Sequence, residues 1–214
     1  MEFKTRMIRV KGNPVSEAYA NYVKGSWYGF RLRMFDAVTP ETLHLQSGLH
    51  FKKKDGSKDY PTDTEKACFY SQYNLWKKCA IEDVPILVLE HDAFLINRAA
   101  IVYNPYVALT YFGQHSMEAV MYQPDFCRYL LRYLENNPVS GPMTMMDKVL
   151  SPDRMQQSKY ARPHTRYLGP HAPVRCVIDP NVGTSLDHGA KGKTSSRKLD
   201  PALWKIIDLS NDIQ

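Results

Sequence analysis

The run Val84-Pro85-Ile86-Leu87-Val88-Leu89 constrains this chain more than any other feature. An amphipathic helix would interrupt such a run with polar residues every third or fourth position, and a half-exposed strand would alternate. Unbroken aliphatic residues opened by a proline predict a strand buried on both faces, as in a parallel sheet covered by helices. The run is the longest apolar stretch and far too short to span a bilayer, which takes about 20 residues. Glu90-His91-Asp92 follows at once. The triplet is therefore predicted at the carboxyl end of a central strand, where open α/β sheets bind ligands.

The flanking segments supply the other elements. Met7–Val10 is a short strand. Asn13-Pro14 reads as an N-cap followed by proline in the first helical position, opening a helix that ends near Lys24 at Gly25. Arg31–Phe35 alternates polar and apolar residues like a half-buried strand, and Thr39-Pro40 opens a short helix. Residues 46–61 read as a mobile loop. Thr62 and Glu65 have the spacing of a capping box, starting a helix that runs to about Glu82 and buries Cys68, Leu75, Trp76 and Cys79. Strands are expected over 107–112 and 118–122. An amphipathic helix is expected over Pro124–Glu135, with Phe126, Tyr129, Leu130, Tyr133 and Leu134 on its buried face. Beyond Ser151 periodicity fades, apart from an apolar stretch over Val174–Ile178 and a final helix near Pro201–Leu209. Alternating strands and helices argue for α/β architecture.

The 214 residues suffice for one core, read as residues 1–150, and a basic C-terminal segment, 151–214, packed on it. The net charge of +6 resides in residues 151–198, which hold nine Lys or Arg against three Asp, while the rest of the chain is balanced. Such a segment predicts a polyanionic partner: nucleic acid, a nucleotide diphosphate or an acidic glycan. The four cysteines form no CxxC pair, which argues against a structural zinc site and for free, mostly buried thiols in a reducing compartment. The charged N-terminus lacks the apolar core of a signal peptide, there is no basic amphipathic membrane helix, and a cytoplasmic location without membrane insertion is expected.

Glu90-His91-Asp92 carries the sharpest chemistry. Carboxylates at a strand end hold a hard divalent cation, Mg²⁺ or Mn²⁺, and an adjacent imidazole favours Mn²⁺. A cation placed there neutralises a departing diphosphate. His115 stands beside a strand, and no two of His164, His171 and His188 have the helical spacing of metal ligands.

Further motifs occur in a fixed order: Phe35-Asp36-Ala37-Val38, Thr64-Glu65-Lys66-Ala67-Cys68-Phe69-Tyr70-Ser71-Gln72, Leu75-Trp76-Lys77-Lys78, Val88-Leu89-Glu90-His91-Asp92-Ala93, His115–Tyr122, Tyr129-Leu130-Leu131 and Met145-Met146-Asp147. Over residues 7–150 this order resembles glycosyltransferase family 25, the group of lipopolysaccharide and collagen galactosyltransferases. His91 stands where that family has an acid, Gln72 where it has a helix histidine, and both glycines of the second motif are replaced. The resemblance implies a GT-A-like fold with a mostly parallel central sheet. It also implies inverting transfer from a nucleotide sugar, with UDP the expected nucleotide. It assigns Asp92 as first metal ligand, with Glu90 and His91 beside it. It assigns Asp147 as base or acceptor contact, and places Glu65 and Ser71 near the donor, where each also suits a helix cap or a buried hydrogen bond.

Charge placement adds an acceptor to this reading. Lys191, Lys193, Arg197 and Lys198 cluster among Gly and Ser, and Arg154, Lys159, Arg162 and Arg166 lie near Tyr160 and Tyr167. Basic residues mixed with aromatics track a phosphate backbone and stack on an exposed base. The expected acceptor is the hydroxyl of a 5-hydroxymethyl-pyrimidine in DNA, as in bacteriophage genomes. The alternatives are a lipopolysaccharide or other glycan acceptor, and a non-catalytic nucleotide-sugar or nucleic-acid binding module.

Overall fold

The structure is a computed structural model and describes residues 3–53, 60–113, 117–139, 165–167 and 173–176. Among these residues lie strands β1 (Lys4–Arg9), β2 (Leu32–Asp36), β3 (Ile86–Leu89), β4 (Ala93–Leu95), β5 (Leu109–Tyr111), β6 (Ala119–Tyr122), β7 (Thr165–Tyr167) and β8 (Val174–Cys176). The α-helices are α1 (Pro14–Lys24), α2 (Asp63–Glu82) and α3 (Pro124–Asn136).

The aliphatic run forms β3, with all four side chains buried, and the main sheet is built around it in the order β2-β1-β3-β6-β5-β7. β6 pairs antiparallel with β3 and β5, and every other pair is parallel, so five of the six strands share one direction. Alternation along β3 divides the core. Ile86 and Val88 face the layer containing Leu75, Trp76 and Leu130 of α2 and α3. Leu87 and Leu89 face Ala20 and Val23 of α1, together with Trp27. A second, two-stranded sheet pairs β4 with β8.

Local signals set the helix starts. Asn13 Oδ1 accepts hydrogen bonds from the Val15 and Ser16 amides, and Pro14 opens α1. At α2, Thr62 and Glu65 form the reciprocal capping box, and the helix closes at Asp83 in the left-handed region (φ 51°). Arg128 of α3 then donates to the Ala80 carbonyl at 3.0 Å and pairs with Asp83 at 2.9 Å and Asp125 at 2.8 Å, tying the two helices together.

Several expectations are corrected. Gly25 does not stop α1 in a left-handed turn. Its backbone stays right-handed (φ −60°) and leads into a 3-10 turn over Gly25–Trp27. Cys68 is exposed, whereas Cys79 and Cys127 are buried free thiols. The buried face of α3 is Cys127, Leu130 and Leu134. Tyr129 and Tyr133 are 56% and 46% exposed, because the small Cys127 thiol, set against Cys79, lets the helix approach α2 along that line. The described part of the 46–61 loop is anchored, with Leu49 in the core and Phe51 bridging Val139. β4 and β7 were not anticipated. The expected helix near 201–209 lies outside the described residues.

Candidate active site at the carboxyl edge of the sheet

The exits of β2, β1, β3 and β5 and the entry of β6 share one edge of the sheet. Lys4, at the start of β1, pairs with Glu82, at the end of α2 (3.1 Å). α2 therefore runs against β1, and its first turns lie toward this edge.

At the exit of β2, the Ala37 amide donates to the Arg9 carbonyl at 2.8 Å, and Arg9 Nε pairs with Asp36 at 2.9 Å. The Val38 amide donates to Ser71 Oγ at 2.9 Å, and the Ser71 hydroxyl donates in turn to the Ala67 carbonyl at 3.0 Å. Ser71 is buried and its proton is committed, so it shapes the Asp36–Val38 wall of the edge from behind. Glu65 is engaged in the helix cap: Glu65 Oε2 accepts from the Thr62 amide at 2.7 Å, and the Glu65 amide donates to Thr62 Oγ1 at 3.2 Å. Gln72, in the place of the family's helix histidine, is buried beside Ser71.

At the exit of β3 the chain turns over Glu90–Ala93, with the Ala93 amide donating to the Glu90 carbonyl at 3.1 Å. Trp27 Nε1 holds the turn from the α1 side by donating to the Ala93 carbonyl at 2.7 Å. His91 and Asp92 are buried, and Glu90 is half-buried. The His91 ring packs edge-on against Tyr19 of α1, centroids 6.2 Å apart. Burial lowers its pKa to about 4, so the imidazole is neutral near pH 7. Glu90 belongs to the opposite face, and its amide donates to the Glu118 carbonyl at 2.9 Å, continuing the β3–β6 ladder past its last strand residue. Tyr122, on the α2 face of β6, has its phenol pKa raised, chiefly by burial, with the Glu90 charge contributing.

The structure thus brings Ser71 to the Asp36–Val38 turn and sets Glu90, His91 and Asp92 together at the end of β3. Asp147 and the basic cluster Lys191, Lys193, Arg197 and Lys198 lie outside the described residues. Glu118 is a residue to which motif reading gave no role. It entered only as the start of a strand and as part of the His115–Tyr122 motif, with no role, because its place beside Glu90 follows from β3–β6 register, which no local pattern encodes.

A hard divalent cation shared with a diphosphate is the group that the exit of β3 would have to hold. Such a cation takes one or two protein carboxylates and completes its shell with phosphate oxygens and water. Glu90 and Asp92 supply carboxylates at the strand end, and the Glu118 carboxylate occupies the space that Gly113 leaves by having no Cβ. Among the described residues no group of three or more His, Cys, Asp or Glu is placed so that it could hold a metal ion. His91, turned toward α1, would have to leave Tyr19 to join the carboxylates.

Among the described residues no helix is long and apolar enough to cross a membrane. The fold is similar to the crystal structure of a glycosyltransferase involved in the glycosylation of the major capsid of PBCV-1. The TM-score is 0.50 at 7% identity, covering 85% of this chain and 96% of that one. Mouse xyloside xylosyltransferase 1, in its apo form, gives a TM-score of 0.42 at 8% identity, covering 85% and 99%. No curated protein matches the sequence. At such identities the first likeness shows a shared fold, and the sequence itself is more specific. Residues 21–136, more than half of the chain, match the profile of glycosyltransferase family 25 (LPS biosynthesis protein), and with the mostly parallel sheet and the acidic exit of β3 this places the chain in glycosyltransferase family 25.

Proposed function

We propose that the protein transfers a sugar, with inversion, from a nucleotide-sugar donor, UDP the expected nucleotide, to an acceptor hydroxyl. The observation that supports this most is the pair of carboxylates, Glu90 and Asp92, in the turn that leaves the central strand. Glu90 and Asp92 would hold a divalent cation, Mn²⁺ or Mg²⁺, which would supply positive charge to offset that on the departing phosphate. Ser71 keeps the Asp36–Val38 wall in place through its bond to Val38, and neutral His91 packs the base of the turn. Asp147 takes the acceptor proton as the acceptor oxygen bonds to the anomeric carbon and the bond to phosphate breaks.

The proposed acceptor is a 5-hydroxymethyl-pyrimidine in DNA, engaged by Lys191, Lys193, Arg197 and Lys198. Support comes from the concentration of positive charge in residues 151–198. Extruding the base costs a few kcal/mol, which contacts to the phosphate backbone offset. A glycan acceptor is the second reading, favoured by the family's description as an LPS biosynthesis protein. The test offers UDP-sugars and Mn²⁺ with hydroxymethylcytosine DNA, plain DNA or lipopolysaccharide core oligosaccharide, followed by mass spectrometry. A sugar mass on the hydroxymethyl base alone supports the DNA acceptor. A sugar mass on the oligosaccharide alone moves the assignment to glycans.

A further inference from the structure

Folding gathers cations along one flank of the sheet. β2 is an edge strand, and its register with β1 sets Arg33 beside Arg6 and Phe35 beside Ile8. Ile8 and Phe35 pack against the core layer of α2. Residues two apart on a strand share a face, so Arg6 and Arg33 lie on the α2 side as well. Between this edge and the last turns of α2 runs an open groove of about 330 Å³, lined by Phe35, Asn74, Lys77, Lys78, Ile81 and Glu82. Glu82 is the single carboxylate of that lining, and Lys4 (3.1 Å) and Lys78 (3.4 Å) both pair with it. Arg6 lies within the fields of Glu82 and Arg33, and Lys77 stands over the Tyr73 ring at 4.9 Å. Lys4, Arg6, Arg33, Lys77 and Lys78 thus surround one acid.

The middle of the groove is apolar. Ile81 is 82% exposed, and Lys77 and Lys78 precede it by four and three residues, on the same side of α2. Phe35 lines the β2 wall. The chain carries a segment of matching pattern. Residues 199–214 hold three Asp against one Lys, after a stretch rich in Lys and Arg that the cationic rim repels. Asp200-Pro201 has the form of an N-cap with proline at the first helical position. Leu203, Ile206, Ile207 and Ile213 recur at helical spacing. In such a helix Trp204, Asp208 and Asp212 stand four apart, in one row along its side. An apolar ring with acids in a row complements Ile81 with Lys77 and Lys78. Reach is no obstacle. Cys176 pairs with Ala93 in the turn that leaves β3, and residues 177–200 can extend to about 80 Å.

We propose that residues 201–213 form an acidic amphipathic helix that docks in the groove between β2 and α2. The Trp204 indole seats on Phe35 and Ile81, and Asp208 and Asp212 lie along Lys77, Lys78 and Arg33. Tryptophan is enriched among the residues that anchor such contacts. Docking ties down both ends of the basic stretch 177–200, one at β8 beside Ala93 and the other at the flank of β2. It requires neither donor nor cation and stands apart from the transferase reading.

Trp204 reports on the docking directly, because the other two tryptophans, Trp27 and Trp76, are buried in the core. In each background of the full-length protein, subtracting the emission of the Trp204→Phe variant isolates the Trp204 signal. In the wild type this signal is expected at short wavelength and resistant to acrylamide quenching. Ile81→Asp and Lys77→Glu should leave the body folded by circular dichroism and raise the quenching of Trp204 to that of the urea-unfolded chain. Adding Asp208→Lys to Lys77→Glu should restore part of the shielding. Tyr129→Asp, on the exposed face of α3, should leave Trp204 shielded. The docking is overturned if wild-type Trp204 is quenched as readily as in the unfolded chain. It is equally overturned if Trp204 stays shielded in both Ile81→Asp and Lys77→Glu, or if Tyr129→Asp releases it instead. Release on dilution of the wild type also overturns it, by making a second copy the occupant.

Discussion

His91 shows how one buried side chain ties the site to the stability of the fold. Its folded-state pKa is about 4 against 6.5 for the free group, and burial is the cause. Between those values the unfolded chain takes up a proton that the folded chain refuses. Stability is therefore complete above about pH 6.5 and falls as the pH drops toward 4. By pH 5 this one group costs up to about 2 kcal/mol. Thermal unfolding of wild type and His91→Asn at pH 7 and pH 5 checks the sign: the variant should lose less Tm on acidification, and equal losses would count against the buried neutral imidazole. Ser71 makes a different prediction. Ser71→Ala leaves the Val38 amide without its side-chain acceptor, which should cost about 1–3 kcal/mol in denaturant unfolding. The loosened wall should raise the donor KM more than it lowers kcat.

At the scale of elements, the features legible in the sequence were those coded by neighbours a few residues apart. The Asn13 cap, the Thr62–Glu65 capping box, the end of α2 at Glu82 and the buried run of β3 are all local patterns, and the structure keeps each one. The buried face of α3 differs from the expected stripe, which took in Tyr129 and Tyr133 with Leu130 and Leu134, whereas the buried residues are Cys127, Leu130 and Leu134. The β4–β8 pair and the row Glu90–Glu118–Gly113 depend on strands far apart in the chain, and a single sequence carries no register between them. The capping box yields a prediction that separates structure from catalysis at Glu65. Gln serves in a capping box as well as Glu, so Glu65→Gln should keep both Tm and donor turnover. Thr62→Ala should lose about 1 kcal/mol. A strong loss of turnover in a fully folded Glu65→Gln would assign the Glu65 charge to the donor instead.

For the whole molecule, family membership and fold agree: a mostly parallel sheet, α2 and α3 on one face and α1 on the other, and an acidic turn where the central strand ends. The triplet at that turn was legible because a buried strand must end in polar residues at the sheet's edge, while its partner from β6 was not. Assembly also sorts the cysteines. In the native state Cys68 should react readily with a thiol reagent, whereas Cys79 and Cys127 should react only on unfolding, as mass spectrometry of the labelled protein will show. The central claim, nucleotide-sugar transfer at the carboxyl edge of β3, is tested most directly by UDP release from a panel of UDP-sugars with Mn²⁺, comparing wild type with Asp92→Asn. The account predicts UDP release by the wild type and at least about a tenfold loss in a folded Asp92→Asn. Equal UDP release by the two proteins would contradict it.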